Sequence, residues 1–518
     1  VDNRFIFSNI WENRQRVKRI GIYSFILYVI TYGYVMGNYA PCHDGMRITQ
    51  VNLPGLEGLG RVLIPYYINI RGMINSPWLI GFISGLFLFC SIILIADMLD
   101  IWGDFKSQLI IAVVFMLNQC FISTITTFIY ILDINMLALL LSVLAVYILN
   151  YNYKVTTAFI SGILLALSLA LYQAYLGVAI GLYVVLFIKK IISNEELNIK
   201  LFIFTGGSLV ASGIFYILIL KYFVETKGIM LLEGGYNSLD NIQKLSFMSI
   251  ISTVLGTYKR FYGYLLESNL YNSNIFRLCI VFLIIVGVIG YVYRIYCVGS
   301  VLKAIALIAL FIIFPVATGI VFIISGGTLH NLMTYPFQLF YILIYLPFVV
   351  QTSENKYRKY IKYIILFVYI VMAFIVIRFA NDLFYYEKIS ADSTFSTITA
   401  FDNDIKKAGF EPSKHRMIIV GDISNSFKRY YQVDATQFSY VGNYARYGTT
   451  ITYNSTLSWY FMYVLGETYY IDYYPYKEKI VIDGHDYTDV IDEMNTYPKE
   501  GYCKLVDEYM IVKMKGDE

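Results

Sequence analysis

Charge is scarce in this chain. Lys, Arg, Asp and Glu make up only 15% of its 518 residues, while 58% are hydrophobic; an average soluble domain carries about 25% charge. That balance reads as a polytopic membrane protein. The net charge of +4, with no basic low-complexity arm, gives no footing for nucleic acid. Cysteine is sparse too: six are scattered with no CxxC pair, so no cysteine-based metal site is expected. Cys90, Cys120 and Cys279 fall inside apolar runs and read as packed small hydrophobes, and Cys42 and Cys503 alone define no disulfide framework. No HExxH, Walker or GxSxG pattern occurs, and GLEGLG at Gly55–Gly60 has the wrong order for a dinucleotide fingerprint.

What the chain has instead is long apolar runs. A membrane span needs about 20 apolar residues, or about 17 at the short end. That rule predicts roughly eleven spans, near 20–36, 77–99, 107–122, 133–149, 156–171, 172–188, 201–223, 275–293, 304–325, 332–350 and 361–380. The first follows WENRQRVKR and precedes no small-residue cleavage site, so it reads as a retained helix. Lys and Arg gather in alternate loops: Arg14 to Arg19, Lys106, Lys154, Lys189, Lys190, Lys200, Arg294, Lys303 and the Lys356–Lys362 cluster. The positive-inside rule then sets the N-terminus in the cytoplasm. It sets the loops 39–77 and 224–274, and everything after Asn381, outside.

The expected organisation is a membrane domain over 1–380 and a small extracytoplasmic α/β domain over 381–518. Acids outnumber bases in that tail, and it holds no run of span length. Asp382–Gly409 and Ser458–Leu465 have helical spacing, Met417–Val420 (MIIV) reads as a buried strand, and Leu505–Met514 as a terminal strand. Ser246–Leu266 is apolar, aromatic and basic, a segment suited to the interface plane.

The candidate chemistry centres on 39–77. His43 and Asp44 follow the first apolar run, with Arg47, Arg61 and Arg71 after them and an amphipathic segment from Gly60 to Ile70. An aspartate with an ordinary pKa near ~3.9 is ionised and can take a proton from an attacking hydroxyl; the same acid could equally be a solvated loop residue. Arg61 is the arginine best suited to a lipid phosphate, which a guanidinium meets in a bidentate fork, and headgroup anchoring is its alternative. Asp133 opens the fourth run as a catalytic or helix-capping acid. Tyr172 and Gln173 break two runs where they could bond sugar hydroxyls or simply turn the chain. Lys259, Arg260 and His330 are further binding candidates. Asp402-Asn403-Asp404 imitates a metal-binding DxD but falls in a helix-like run, so a solvated helix face is expected. Asn454-Ser455-Thr456 fits a glycosylation sequon, a pattern common by chance.

His43-Asp44 after the first span, Gly60-Arg61, SPWLIGFISGLFLF at Ser76–Phe89, Asp133, Tyr172-Gln173 and the terminal MNTYPKEGYCKLVDEYMIVKM together resemble one family. This is the membrane glucosyltransferase family of O-antigen conversion (Gtr type II), in the GT-C class. The resemblance is best over the first 190 residues; 224–274 matches no pattern of the family. It implies a GT-C-like fold and an enzyme in the cell membrane. The enzyme would move a glucose or other hexose from a polyprenyl-phosphate carrier to a cell-surface polysaccharide or its lipid-linked precursor. It also implies an essential acid in the first outer loop, here Asp44. An inverting reaction with Asp44 as base, and Arg61 helped by Arg47, Lys259 or Arg260 at the phosphate, follows as the expectation. No cofactor and no obligatory metal are expected, because one phosphate needs less countercharge than two. A flippase of lipid-linked glycans would share the basic outer surface but should show polar residues deeper in its spans. A polysaccharide polymerase would share the substrate class.

Overall fold

The computed structural model describes residues 6–49, 55–232, 247–266, 271, 273–350, 356–429, 438, 448–476 and 479–516. Packing divides the chain into two units: one of 1–36, 52–125 and 131–381, the other of 37–51, 126–130 and 382–518.

The first unit is helical. Among the described residues, eight helical stretches are long and apolar enough to cross a membrane, and Val155–Leu171 and Tyr335–Val349 are shorter apolar ones. Eleven were expected; the stretch Phe105–Tyr151 alone covers two of them, and the differences from the expected spans are local. The expected span 107–122 is interrupted: the helix Phe105–Met116 ends, and Asn118 starts the next, Gln119–Phe128. The Asn118 side chain accepts from Phe121 N at 2.8 Å and donates to Phe115 O at 3.0 Å, serving both helix ends at once. At 12 residues, Phe105–Met116 is only about 18 Å long. The expected span 332–350 opens instead with short turns at Asn331–Met333 and Tyr335–Gln338, leaving an 11-residue helix, Leu339–Val349. In the other direction, 361–380 and 382–409 merge into one 52-residue helix, Lys356–Lys407, because no Gly or Pro interrupts that sequence. Left-handed Gly409 follows its end.

Small residues let neighbouring helices meet closely, as membrane helix pairs require. A Cβ on Gly162 of Val155–Leu171 would lie 2.7 Å from the Ala211 methyl of Ile199–Lys227. Ser161, next to Gly162, shares a hydroxyl bond of 2.7 Å with Ser208. Leu132–Tyr151 packs on Pro77–Leu99 and on Val155–Leu171, the latter tied by Ser142 and Ser168 at 2.9 Å. Tyr172 adopts an extended backbone and Gln173–Tyr175 a single tight turn, which separates Val155–Leu171 from Leu176–Ile192. The segment 60–70 contains the helix Ile64–Arg71. It buries Ile64 and Ile68 but exposes Tyr66 and Ile70, so its apolar residues are not confined to one face as expected.

The described strands of the second unit are β1 (Arg416–Val420), β2 (Ile471–Tyr474), β3 (Val481–Ile482), β4 (His485–Asp486), β5 (Cys503–Val506) and β6 (Tyr509–Lys513); β3 pairs with β4, and the other four form a sheet of order β2-β1-β6-β5. β1 runs parallel to both neighbours, and β6 is antiparallel to β5. The continuous apolar run MIIV suits a strand covered on both faces. Met417 and Ile419 pack with Ile398, Phe401, Leu457 and Phe461, while Ile418 and Val420 pack with Ile482, Tyr487 and Ile491 of the opposite layer. The expected terminal strand 505–514 is instead part of a hairpin, turned at Asp507, whose φ of 53° is left-handed. The helix expected at 458–465 starts earlier, at Asn454, and finishes in a π-helical turn over 461–465.

Candidate active site

Asp44 belongs to the second unit. It sits in a tight 3-10 turn, His43–Thr49, anchored from both sides. Cys42 before it and Met46 after it are buried, Met46 in the core beneath the sheet. His43 enters the turn at φ 52°, and Gly45 N donates to Cys42 O at 2.9 Å. A Cβ on Gly45 would lie 2.2 Å from the Tyr39 hydroxyl, so a larger residue there would have to displace that ring. The turn thus holds Asp44 still while leaving its side chain 30% exposed.

One Asp44 oxygen is engaged. Tyr453 donates its phenol to Oδ1 at 3.2 Å, and the His43 and Tyr453 rings meet edge to face at 4.9 Å. His43 Nδ1 is 3.5 Å from the same oxygen, too long for a strong bond. Burial first, then the Asp44 charge, raises the Tyr453 phenol well above its ordinary range, so it stays a donor. Burial lowers the His43 imidazole from 6.5, and Asp44 opposes that shift. A carboxylate with one fixed donor, and with no partner on its second oxygen among the described residues, is ready to accept a proton. Tyr453 carried no signal in the sequence, because its link to Asp44 spans 409 positions.

The first unit holds the remaining candidates. Arg61 is 8% exposed and stacks on Tyr172, 4.5 Å from its guanidinium carbon to the ring centroid. No carboxylate among the described residues pairs with it, and its Nε has no hydrogen-bond partner there. Gln173 donates to Leu59 O at 3.0 Å and to the Tyr216 hydroxyl at 2.9 Å, and Tyr216 donates to Gly60 O at 3.1 Å. Tyr172 and Gln173 thereby frame the short stretch that presents Arg61.

Asp133 is placed differently. Arg71 donates to both its oxygens at 2.9 and 3.2 Å, Tyr67 to Oδ2 at 2.9 Å and Ile134 N to Oδ1 at 3.0 Å. Both Asp133 and Arg71 side chains have 0% exposure. Arg71 also donates to Asn75. The carboxylate is saturated by protein, and Arg71 is a buried partner rather than a headgroup anchor. Asp133 is the second residue of its helix, not the cap, which is Ile131. Lys259 and Arg260 are exposed on the helix Phe247–Leu266. Burial and then the Arg260 charge lower the His330 imidazole, which puts those two within electrostatic reach. Arg47 lies in the His43–Thr49 turn, its side chain outside the described residues, as are 233–246 of the second loop.

Among the described residues no group of three or more His, Cys, Asp and Glu is placed to hold a metal. The expected solvated face holds for Asn403 and Asp404, which are exposed, but not for Asp402. Asp402 is buried and bonded by Lys406 at 2.9 Å and by Tyr469, and Asp404 accepts from Tyr502 at 3.4 Å. Thr456 of the sequon is buried, its hydroxyl accepting from Tyr453 N at 3.2 Å at the start of the helix Asn454–Tyr460.

No curated protein and no solved structure matches the chain. The pattern of the family described as "Glucosyl transferase GtrII" matches residues 33–351, which include Asp44, Arg61, Asp133, Tyr172, Gln173, Lys259, Arg260 and His330. With more than half of its length matched, and with helices fit to cross a membrane, the chain belongs to the GtrII glucosyltransferase family.

Proposed function

We propose that this glycosyltransferase moves a hexose from a polyprenyl-phosphate carrier to a cell-surface polysaccharide or its lipid-linked precursor, with inversion, outside the cytoplasm. Glycosyl transfer in glycan modification follows from the family; donor, stereochemistry and residue roles are our reading. The acceptor hydroxyl gives its proton to Asp44 as its oxygen attacks the anomeric carbon. The bond from that carbon to the phosphate oxygen breaks on the opposite face, and the electron pair leaves with the polyprenyl phosphate. Arg61 stabilises the charge growing on that phosphate, the kind of contribution that usually dominates catalysis. Tyr172 and Gln173 hold Arg61 and offer polar edges to the donor sugar. Asp133 acts through Arg71, as a positioning residue for the helix Ile64–Arg71. Lys259, Arg260 and His330 are assigned to the donor headgroup, and no metal is required.

The observation that carries this reading is Arg61. A buried charge without a partner is costly, and this guanidinium has an aromatic face but no anion among the described residues. A phosphate supplies what is missing.

The test is transfer from polyprenyl-phosphate [14C]glucose to the native glycan acceptor by the purified chain in nanodiscs. Asp44→Asn should lower kcat by about 10²–10⁴, the range of general-base catalysis. Arg61→Gln should lower kcat/KM for the lipid donor, and chelator should change neither. Near-normal turnover by Asp44→Asn would remove the base. Label crossing the bilayer without a new glycosidic bond would identify a flippase instead.

A further inference from the structure

The second unit carries an uncharged aromatic surface that begins at the Asp44 turn and that the chemistry above does not use. No Lys, Arg, Asp or Glu occurs between Gly448 and Gly466. Within that stretch the helix Asn454–Tyr460 has two distinct sides. Thr456, Leu457 and Tyr460 are buried, the last two in the core beneath the sheet, while Ser455 is exposed and Ser458 and Trp459 are half-buried. Ser455, Ser458 and Trp459 stand at i, i+3 and i+4, so they share the outer face. The Trp459 ring meets Tyr453 edge to face at 6.0 Å, Tyr453 meets His43 in the same way at 4.9 Å, and Tyr453 donates to Asp44. Tyr473, on the edge strand β2, joins the patch: its hydroxyl donates to Asn454 O at 2.8 Å and shares a bond of 3.0 Å with Ser458.

Half-exposed rings with hydroxyls set between them have the chemistry of a sugar-binding surface. One face of a pyranose is made of C–H bonds, which the negative face of an aromatic ring attracts. Its rim is hydroxyl, which both donates and accepts and so suits Ser and Tyr. The absence of charge argues against a phosphate or an anionic headgroup, which would call for Lys or Arg. Trp and Tyr also favour the membrane interface, but an interfacial anchor has no need of a link to Asp44. Here the patch is linked to that carboxylate ring by ring, and the acceptor is the substrate whose hydroxyl has to reach it. A single sugar at Asp44 would leave Trp459 uncovered, whereas a glycan chain would run on over it.

We propose that Tyr453, Ser455, Ser458 and Trp459 seat the acceptor glycan, holding the sugar units next to the one that is modified. Its part in transfer rests on the glycosyltransferase reading; glycan binding does not. The probe is unmodified surface glycan purified from cells lacking this chain, titrated calorimetrically without donor into the full chain in nanodiscs. Binding should be saturable, and Trp459→Ala should weaken it by about tenfold or more, the scale of losing an aromatic anchor. If Trp459→Ala does not fold, Ser455→Arg, a bulky change at an exposed position on the same face, should weaken binding to a similar degree. In the transfer assay either variant should raise KM for the glycan about tenfold and leave KM for the lipid donor within about twofold. No saturable binding, or equal binding in both variants, overturns the surface even where transfer is intact. Quenching of Trp459 fluorescence by brominated lipid, with glycan binding unchanged in the variants, overturns it in favour of an interfacial anchor. Binding that depends on Trp459 in a chain that transfers no sugar removes the enzymatic reading and leaves the surface standing.

Discussion

Asp44 and His43 show how two adjacent titratable side chains divide their work. The aspartate keeps an oxygen open, and the imidazole beside it is biased to neutrality by burial. A histidine whose pKa is lower folded than unfolded binds its proton less well in the native state. Its contribution to stability is therefore complete above pH ~6.5 and is lost as pH falls from there through the folded value. Titration of 13C-labelled histidine, with His43 assigned from His43→Gln, should give a midpoint below ~6.5. Asp44→Asn removes the charge that holds the value up, so the midpoint should drop further; an upward move would contradict the pairing. At this scale the sequence showed Asp44 through its neighbours and place after the first span. It could not show Tyr453, which only folding brings near. Glu387 was legible in principle as part of a buried helix face, since Ser390, Thr394 and Thr397 follow it at helical spacing.

Among the elements, the short helix Ile64–Arg71 depends on the Arg71–Asp133 pair. Removing one partner of a buried ion pair strands the other charge at a cost of about 3–5 kcal/mol, whereas replacing both by apolar groups is often nearly neutral. Asp133→Asn should therefore destabilise the protein more than the double variant Arg71→Met/Asp133→Leu, measured by unfolding in nanodiscs. A single variant as stable as wild type would show that the pair does not anchor this helix. Breaks made by unusual residues were easier to read than breaks made by ordinary ones. Tyr172-Gln173 stood out in an apolar run, while Asn118 sits between two apolar stretches and looks like a tolerated polar residue until its bonds to both helix ends are seen. The turn at Asp507 was hidden because hydrophobic residues flank it on both sides at strand spacing.

For the molecule as a whole, hydropathy located the membrane-type helices but not their ends and breaks, since it measures composition and not continuity. The proposed sidedness rests on the distribution of Lys and Arg. In a background lacking Cys90, Cys279, Cys297 and Cys503, an impermeant maleimide applied from outside should label Asp486→Cys and leave Glu196→Cys unlabelled; both positions are exposed. The reverse pattern would invert the orientation and place Asp44 on the wrong side for the proposed chemistry. The tail's α/β character was legible from MIIV and from the change in composition. Its recruitment of 37–51 and 126–130 was not, because hydropathy says nothing about which distant segment completes a core.

That recruitment matters for how such proteins can diverge. The acid and the tyrosine that donates to it are separated by nearly the whole chain, yet they belong to one folding unit. Recombination that exchanged only 382–518 with a relative would set a foreign Tyr453 against a native Tyr39, Gly45 and Asp44. The matching graft has three pieces, and the two short ones, 37–51 and 126–130, must travel with the tail. Inheritance of this half of the enzyme is therefore expected to be all or none, although its parts are written at opposite ends of the sequence.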